Sequence, residues 1–350
     1  MASSDSDFLR RVVLGAGIVV LMGLGVYLLY ELAIVLLIVF AGMLVSIFLG
    51  GLTQLMQDAT RLPRSLALGS VIGLLIVLLA GASVLTGPQL AGQLAQLSER
   101  LPQAIDQIER LATQYGWMQE VVDAVPGPAE MLPAATDVWG QLTDVFTVTF
   151  GAVAGLAIIL AVGLYGAISP GTYASGLVRL VPLPKRERAE EVVGAVLRAL
   201  RWWLVGRVTL MVVLGTLTGV GLWIVGIPSA FALGLITGLL SFIPYIGAIL
   251  SAIPALLVAF LVSATHMVYA LIVFAVVQGL ENYLFTPLVQ EHAVSIPPAA
   301  LLVAQLVMGF LAGFLGVLLA TPIAVTVIVL VQLLYVEDVL GDSSVHVLGA

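Results

Sequence analysis

The sequence predicts an all-α, polytopic membrane protein with about six transmembrane helices and two broken-helix, re-entrant hairpins in an inverted arrangement. Composition is the first reason: 61% of the 350 residues are hydrophobic, 9% are charged, and the mean hydropathy is +1.16. A soluble domain carries about 25% charged residues, and a chain this apolar would aggregate in water. The second reason is a series of long uncharged runs, and the third is the proline and glycine that interrupt the last of them.

The first half of the chain contains four uncharged runs, each close to the ~20 residues that cross a bilayer. We expect transmembrane helices at residues 12–30, 32–51, 66–85 and 145–168. The first run is longer than the roughly 7–15 apolar residues of a signal peptide, and a second run follows it at once. A retained first helix is therefore the preferred interpretation, with Glu31 in the turn that follows it.

Basic residues mark the predicted cytoplasmic side. All 13 lysine and arginine residues lie at or before Arg207, and seven of them fall between Arg179 and Arg207. Because cytoplasmic loops carry the excess of basic residues, we place the N-terminus, the loop with Arg61 and Arg64, and residues 179–207 inside. The helix predicted at 183–207 resembles an interfacial helix leading into a fifth span at 208–225. Orientation and anionic lipid explain its charge better than nucleic acid does.

The polar stretch from Gly87 to Asp144 contains eight acidic and two basic residues and is placed outside. Apolar residues recur in it at alternating spacings of four and three, which predicts helices. Pro102 interrupts the pattern, so we expect two shorter helices, the second starting near Pro102. Their apolar stripe packs on the protein itself or on the membrane surface, which we prefer, or mediates self-association.

Two long apolar runs, at 227–263 and 296–332, resemble each other. A shift of 69 residues aligns Ile227 with Ile296, Pro228 with Pro297 and Gly247 with Gly316. Each run is either two short full spans or a re-entrant hairpin. One span at 267–285 separates them, so they enter from opposite faces, as in an inverted repeat.

Proline and glycine in these runs either kink helices and permit close packing or shape a central solute site. Irregular backbone at membrane depth needs protein or a water-filled cavity around it, and paired broken helices are a known way to build such a site. The expected hairpin tips contain Pro244, Tyr245, Gly247, Pro254, Gly313, Gly316 and Pro322.

Three polar residues interrupt the span between the two runs. Gln278, Glu281 and Asn282 are spaced i, i+3 and i+4, so they share one face of a helix. An intramembrane carboxylate is a candidate for exchanging a proton or binding a cation, and the alternative is an interfacial residue that caps the span. No basic residue follows Arg207, so helix N-termini alone would meet an anionic solute. A neutral solute, a proton or a metal cation therefore fits better.

The sequence argues against catalysis and against ATP-driven transport. It contains no cysteine, and its three histidines show no metal-ligand spacing. The P-loop pattern has no match, and neither G-x-S-x-G nor H-E-x-x-H occurs. We therefore expect a protein that is not an enzyme and binds no cofactor or structural metal.

The segments PYIGAILSAIPALLVAF (from Pro244), ENYLFTPLVQ (from Glu281) and GFLGVLLATPIAV (from Gly313) resemble the bacterial autoinducer-2 exporter family of transporters. The resemblance implies functional elements at Pro244 and Gly247, at Gly316 and Pro322, and in the acidic segment. In that segment Pro287 joins Gln278, Glu281 and Asn282 as the expected substrate- or ion-binding set. The sequence departs from many relatives at Pro297, where they have histidine.

The family implies export of a small signalling molecule in some members and exchange of sodium or lithium for protons in others. It also implies a homo-oligomer, with a pentamer as the candidate state. We expect a secondary transporter of the bacterial inner membrane, with both termini cytoplasmic, that exports a small neutral autoinducer-2-like molecule or metabolite by alternating access, coupled to protons or sodium. A sodium or lithium/proton antiporter is the alternative, and a membrane scaffold or regulatory protein is the alternative of another class.

The chain is divided accordingly into five parts. They are the first three transmembrane helices (1–86), an extracytoplasmic helical region (87–144), the fourth helix with the basic interfacial helix (145–207), the transport core (208–336) and a cytoplasmic tail (337–350).

Overall fold

The protein is an all-helical bundle in a computed structural model that describes residues 2–114, 153–285 and 297–342; no strand occurs in these ranges. The helices are α1 (Ala2–Thr60), α2 (Arg64–Gln114), α3 (Val153–Ile168), α4 (Pro170–Arg179), α5 (Arg186–Ile224), α6 (Ala230–Leu240), α7 (Ile246–Val262), α8 (Ala264–Leu280) and α9 (Pro298–Leu330). Short π-helical segments extend α8 over Glu281–Phe285 and α9 over Val331–Glu337.

Helix α1 is continuous for 59 residues, where the sequence predicts two spans and a turn at Glu31. No proline interrupts residues 12–51, and an unbroken helix satisfies its backbone hydrogen bonds internally, which an apolar environment favours. Its candidate span is Leu32–Thr60. The two predicted spans cross the membrane twice, which places the N-terminus on the same side as Arg61 and Arg64. A single continuous helix lacks the second crossing.

Helix α2 runs without a break through Pro88 and Pro102, so the helix end expected near Pro102 is absent. An internal proline costs about 3 kcal/mol, but a helix end leaves several donors and acceptors without intrahelical partners. The predicted third span and the start of the predicted outer region are therefore one element. Residues 115–152, which hold the rest of that region and the start of the fourth span, lie outside the described residues.

Helix α5 joins the predicted interfacial helix to the predicted fifth span in one element of 39 residues. The face with Val192, Ala199 and Trp203 is buried against Leu37 of α1 and Val325 of α9. This face therefore packs on the protein rather than on lipid headgroups.

Before α5, the chain turns by 93° between α3 and α4, where Pro170 begins the second helix.

The described residues contain four stretches long and apolar enough to cross a membrane, or five if the bent pair α3 and α4 counts as one. The sequence predicts about six. By length and composition alone, the four are Leu32–Thr60, Leu183–Ile224, Ala264–Phe285 and Pro298–Glu337, and the last of these contains a break at Ala312 and Gly313.

The backbone reverses direction at two places in the second half. Residues 241–245 separate α6 from α7, and these two helices form the first hairpin. Within α9 the helix is broken at Ala312 (φ −139°, ψ 19°) and Gly313 (φ 58°, ψ −142°). A Cβ placed on Gly316 would overlap the carbonyl oxygen of Met308, although eight residues of straight helix span about 12 Å. The segments 298–311 and 314–330 are therefore the two arms of a second hairpin.

Candidate functional site

The turn of the first hairpin requires close backbone approach. Tyr245 has a positive φ of 63°, and the Gly247 amide donates to the Ile243 carbonyl at 2.9 Å. A Cβ on Gly247 would overlap the Leu240 carbonyl oxygen, so glycine is required there. Gly316 holds the matching place in the second hairpin, which agrees with the 69-residue shift between the two runs.

Two of the residues expected at the hairpin tips lie elsewhere. Pro254 is inside α7 and Pro322 is inside the second arm of α9, each well beyond its turn. Thr326 Oγ1 donates to the Pro322 carbonyl at 2.9 Å, a bond one turn of helix along. Both prolines are thus helix-interior residues, and the turns themselves are formed by Pro244 and Tyr245 and by Ala312 and Gly313.

Arg207 lies against the turn of the first hairpin and is 7% exposed. Its Nε donates to the Phe242 carbonyl at 3.1 Å, and its Nη1 is 3.9 Å from Glu281 Oε1. The break after α6 frees carbonyl groups at the negative end of that helix, and a cation is the favourable partner for them. Nη2 is buried and has no hydrogen-bond partner among the described residues.

Gln305 connects the second hairpin to the first. It is 1% exposed, and its Nε2 donates to the Pro244 carbonyl at 3.1 Å. Its Oε1 is buried without a hydrogen-bond partner in the described part of the chain, as is the hydroxyl of Thr321 on the opposite arm. Phe242 of the first turn also packs in the same apolar cluster as Met308 and Ala312. The two hairpins therefore meet, with a polar side chain at the contact.

Glu281 is held beside Arg207 by its own helix. Gln278 Nε2 donates to Glu281 Oε2 at 2.8 Å, and the Glu281 side chain is 12% exposed. Glu281 lies 17 residues from the start of α8, and Arg207 lies 17 residues from the end of α5, about 26 Å in each case. The two charges therefore lie at the same level, most of the way along a hydrocarbon core of ~30 Å.

Asn282 does not join this pair. It is exposed, whereas Gln278 and Glu281 are partly buried. The π-helical segment that begins at Glu281 has a wider turn than an α-helix, so the i, i+4 spacing no longer keeps Asn282 on the face of Gln278. Pro287 lies outside the described residues.

A groove of about 790 Å³ runs beside the first hairpin, between α5 and α6. Its floor is formed where Gly215 and Gly219 of α5 approach Gly234 and Gly238 of α6. The lining extends from Val208 and Leu239, next to the turn, to Trp223 and Ser229 at the far end, where Gln93 of α2 accepts a hydrogen bond from the Ala232 amide at 3.0 Å. The groove is largely apolar and ends near the Arg207 site.

Arg188 ties the start of α5 to the end of α9. It forms ion pairs with Glu191 at 2.9 Å and with Glu337 and Asp338 at 3.0 Å, and it donates to the Leu333 carbonyl at 3.3 Å. Other basic side chains bind carbonyl groups in the same region, including Arg64 to Ala167 and Arg186 to Val181. Part of the basic charge that the sequence assigns to lipid and orientation is therefore used within the protein.

Replacing Arg188 with Gln is expected to lower stability by on the order of 1 kcal/mol, because the pairs are partly exposed and screened by water. Thermal unfolding of the detergent-solubilised protein at low salt measures the difference, and high salt should reduce it. Arg198→Gln, an exposed position on the same helix, is the control. An equal loss in both variants would show that the ionic cluster adds nothing specific.

The described ranges hold no group of three or more His, Cys, Asp or Glu side chains placed to share a metal ion. The polar atoms at the hairpin contact are instead one guanidinium, one carboxylate, two amides and backbone carbonyls. This set can bind a small polar solute or move a proton.

Comparison with known proteins identifies the family. The sequence matches the family described as AI-2E family transporter over residues 17–335. It is 25% identical to YueF of Bacillus subtilis (strain 168) over 275 residues, covering 75% of this chain and 74% of that protein. It is 30% identical to MT0215 of Mycobacterium tuberculosis (strain CDC 1551 / Oshkosh) over 285 residues, covering 74% and 73%.

A shorter similarity links the chain to YrrI of Bacillus subtilis (strain 168), with 29% identity over 143 residues, 41% of this chain and 40% of that protein. All three relatives carry provisional names as transport proteins. The family match covers the apolar helices, both hairpins and the buried polar contact between them. This multi-pass membrane protein therefore belongs to the AI-2E family of transporters.

Proposed function

We propose that the chain is a secondary transporter in which the two hairpins form the solute site and the second half moves against the first to give alternating access. The observation that carries the proposal is the buried hydrogen bond from Gln305 to the Pro244 carbonyl, which joins two interrupted helices next to Arg207 and Glu281. Broken helices that meet at membrane depth are a recurring design of transporter sites. A purely structural scaffold has no use for matched hairpin tips.

The hairpins are proposed to be re-entrant. Helix α6 has 11 residues and the first arm of α9 covers 298–311, which correspond to about 16 and 21 Å, less than the ~30 Å of the hydrocarbon core. Helix α8 crosses once between the hairpins, so they enter from opposite faces. This gives the second half the form of an inverted repeat.

The orientation is proposed from the basic residues. The segment 179–207 faces the cytoplasm of a bacterium, and so does the C-terminal end, which Arg188 joins to it. The end of α5 at Ile224 and the end of α7 at Val262 face outside. The stretch 87–144 is then extracytoplasmic. The homo-oligomer, with a pentamer as candidate, rests on family resemblance.

The proposed solute is a small signalling molecule or metabolite that is exported by coupling to protons or sodium. The sequence favours a neutral solute only because no basic residue follows Arg207. Arg207 itself lies at the hairpin turn, so this reason does not apply to the folded protein. A sodium or lithium/proton antiporter remains the second candidate, because a buried carboxylate near a single arginine is suited to proton exchange.

Glu281→Gln is expected to abolish coupled transport while folding and assembly stay intact, because glutamine keeps the size and the partner Gln278 but cannot release a proton. The assay reconstitutes the protein in proteoliposomes and compares sodium gradients, proton gradients and a small neutral metabolite. Glu190→Gln, an exposed carboxylate on α5, is the matched control. Transport that is unchanged in Glu281→Gln would remove Glu281 from the mechanism.

A further inference from the structure

The guanidinium of Arg207 has hydrogen-bonding capacity that the described residues do not use. A guanidinium carries five N–H donors, and buried Arg–carboxylate pairs usually form two parallel hydrogen bonds of about 2.7–2.9 Å. Here Nε binds the Phe242 carbonyl, Nη1 is 3.9 Å from Glu281 and Nη2 has no partner in the described part of the chain. The side chain is nonetheless almost fully buried, at 7% exposure.

Glu281 is kept from closing this gap by Gln278. The Gln278 amide holds one carboxylate oxygen at 2.8 Å, while the other oxygen stays beyond hydrogen-bond distance of Arg207. The pair balances charge without forming the bidentate contact. The buried Nη2 therefore keeps donors that a second acceptor would satisfy.

The turn beside Arg207 joins the negative end of α6 to the positive end of α7, so the shape of the guanidinium, rather than the helix ends, selects the ligand. Arginine's planar fork matches the two oxygens of a carboxylate or the oxygens of a phosphate better than it matches a neutral hydroxyl. We propose that Arg207, at the turn of the first hairpin, binds a carboxylate or phosphate group of the transported solute in competition with Glu281. This inference rests on the proposed transport function.

Charge balance then couples the solute to one proton. Arg207 and Glu281 together are neutral, and adding a monoanion leaves one uncompensated negative charge in a buried region, which is costly. A proton on Glu281 removes that charge. Among the described residues, the titratable groups that face Arg207 are Glu281 from α8 and Tyr245 from the turn. The sequences of α6, α7 and residues 298–336 contain no Asp, Glu, Lys or Arg.

The test is anion binding to the full chain in lipid nanodiscs, read as the shift in thermal unfolding midpoint. The probes are acetate, inorganic phosphate and neutral erythritol at constant ionic strength. Acetate or phosphate is expected to stabilise the wild type and erythritol is not. With acetate, which stays ionised above about pH 6, the apparent affinity should fall about tenfold per pH unit wherever free Glu281 is ionised, as expected for one proton per anion.

Variants separate the site from general surface binding. Glu281→Gln should bind the anion at least tenfold more tightly near pH 7 and without pH dependence, because the competitor is neutral. Arg207→Lys, which keeps the charge but loses the fork, should weaken binding in the Glu281→Gln background at least tenfold. Absence of stabilisation by both anions in wild type and Glu281→Gln, or equal stabilisation of the Arg207→Lys variant, would overturn the proposal. Transport that persists in proteoliposomes after that result would leave the transporter standing and reject only the anion site.

Discussion

Arg207→Ala is expected to destabilise the protein by about 3–5 kcal/mol, the range for breaking a buried ion pair by removing one partner. The substitution removes the donor to the Phe242 carbonyl and leaves Glu281 buried beside no cation. Unfolding in mixed micelles, followed by circular dichroism as the fraction of denaturing detergent rises, measures the loss.

A double-mutant cycle separates the charge from the packing. Glu281→Gln introduced into Arg207→Ala should restore part of the stability, because it removes the uncompensated charge. Arg198→Ala, an exposed arginine of the same helix, should change stability by less than about 0.5 kcal/mol. A loss for Arg207→Ala no larger than that of Arg198→Ala would show that Arg207 does not support the turn.

Gly316→Ala is expected to prevent the second hairpin from closing. Its new Cβ would overlap the Met308 carbonyl oxygen, and a backbone atom cannot move aside as a flexible side chain can. The expected loss is at least about 3 kcal/mol, the upper end for overpacking, with loss of folded protein as the extreme result. Thermal unfolding and the yield of monodisperse protein after detergent extraction report it.

Gly73→Ala is the matched control for this substitution. Gly73 lies inside α2, and a Cβ added there would meet no other heavy atom of the described residues within 4 Å, so alanine should be neutral or stabilise the helix by up to about 1 kcal/mol. Gly247→Ala should behave like Gly316→Ala, because its Cβ would overlap the Leu240 carbonyl oxygen. Wild-type stability in Gly316→Ala would mean that α9 does not fold back at residues 312–313.

The sequence predicts the class, the family and the positions of both backbone reversals. The apolar composition indicates a membrane protein. Proline, glycine and the 69-residue similarity locate the two turns to within a few residues. Helix continuity is less accessible to sequence reasoning. Helix α1 passes Glu31 because an apolar environment favours an unbroken hydrogen-bond ladder. Helix α2 passes Pro102 because a helix end there would leave several backbone donors and acceptors without intrahelical partners.

The polar contact between the hairpins is only half visible in the sequence. The spacing of Gln278 and Glu281 makes them visible in the sequence. The residues that bind the first hairpin turn, Arg207 and Gln305, come from distant segments. In the sequence Arg207 is the last member of a basic cluster, although in the folded protein it is buried against the first hairpin turn. Gln305 is the clearer missed signal, since it is a single amide within the uncharged run that forms α9. Its partner, a carbonyl 61 positions away, could be found only from the fold.

Cross-linking across the hairpin contact tests the central claim most directly. The sequence contains no cysteine, so the introduced residues are the only thiols that can react. Gln305→Cys combined with Tyr245→Cys should be joined within one chain by a short bifunctional thiol reagent, because Gln305 binds the carbonyl of the adjacent Pro244. Val303→Cys with Tyr245→Cys is the control, since Val303 lies on the exposed side of the same arm. Efficient linkage of the 305 pair with little linkage of the 303 pair is the predicted result. Equal linkage of both pairs, or none at 305, would contradict the account that the two hairpins meet.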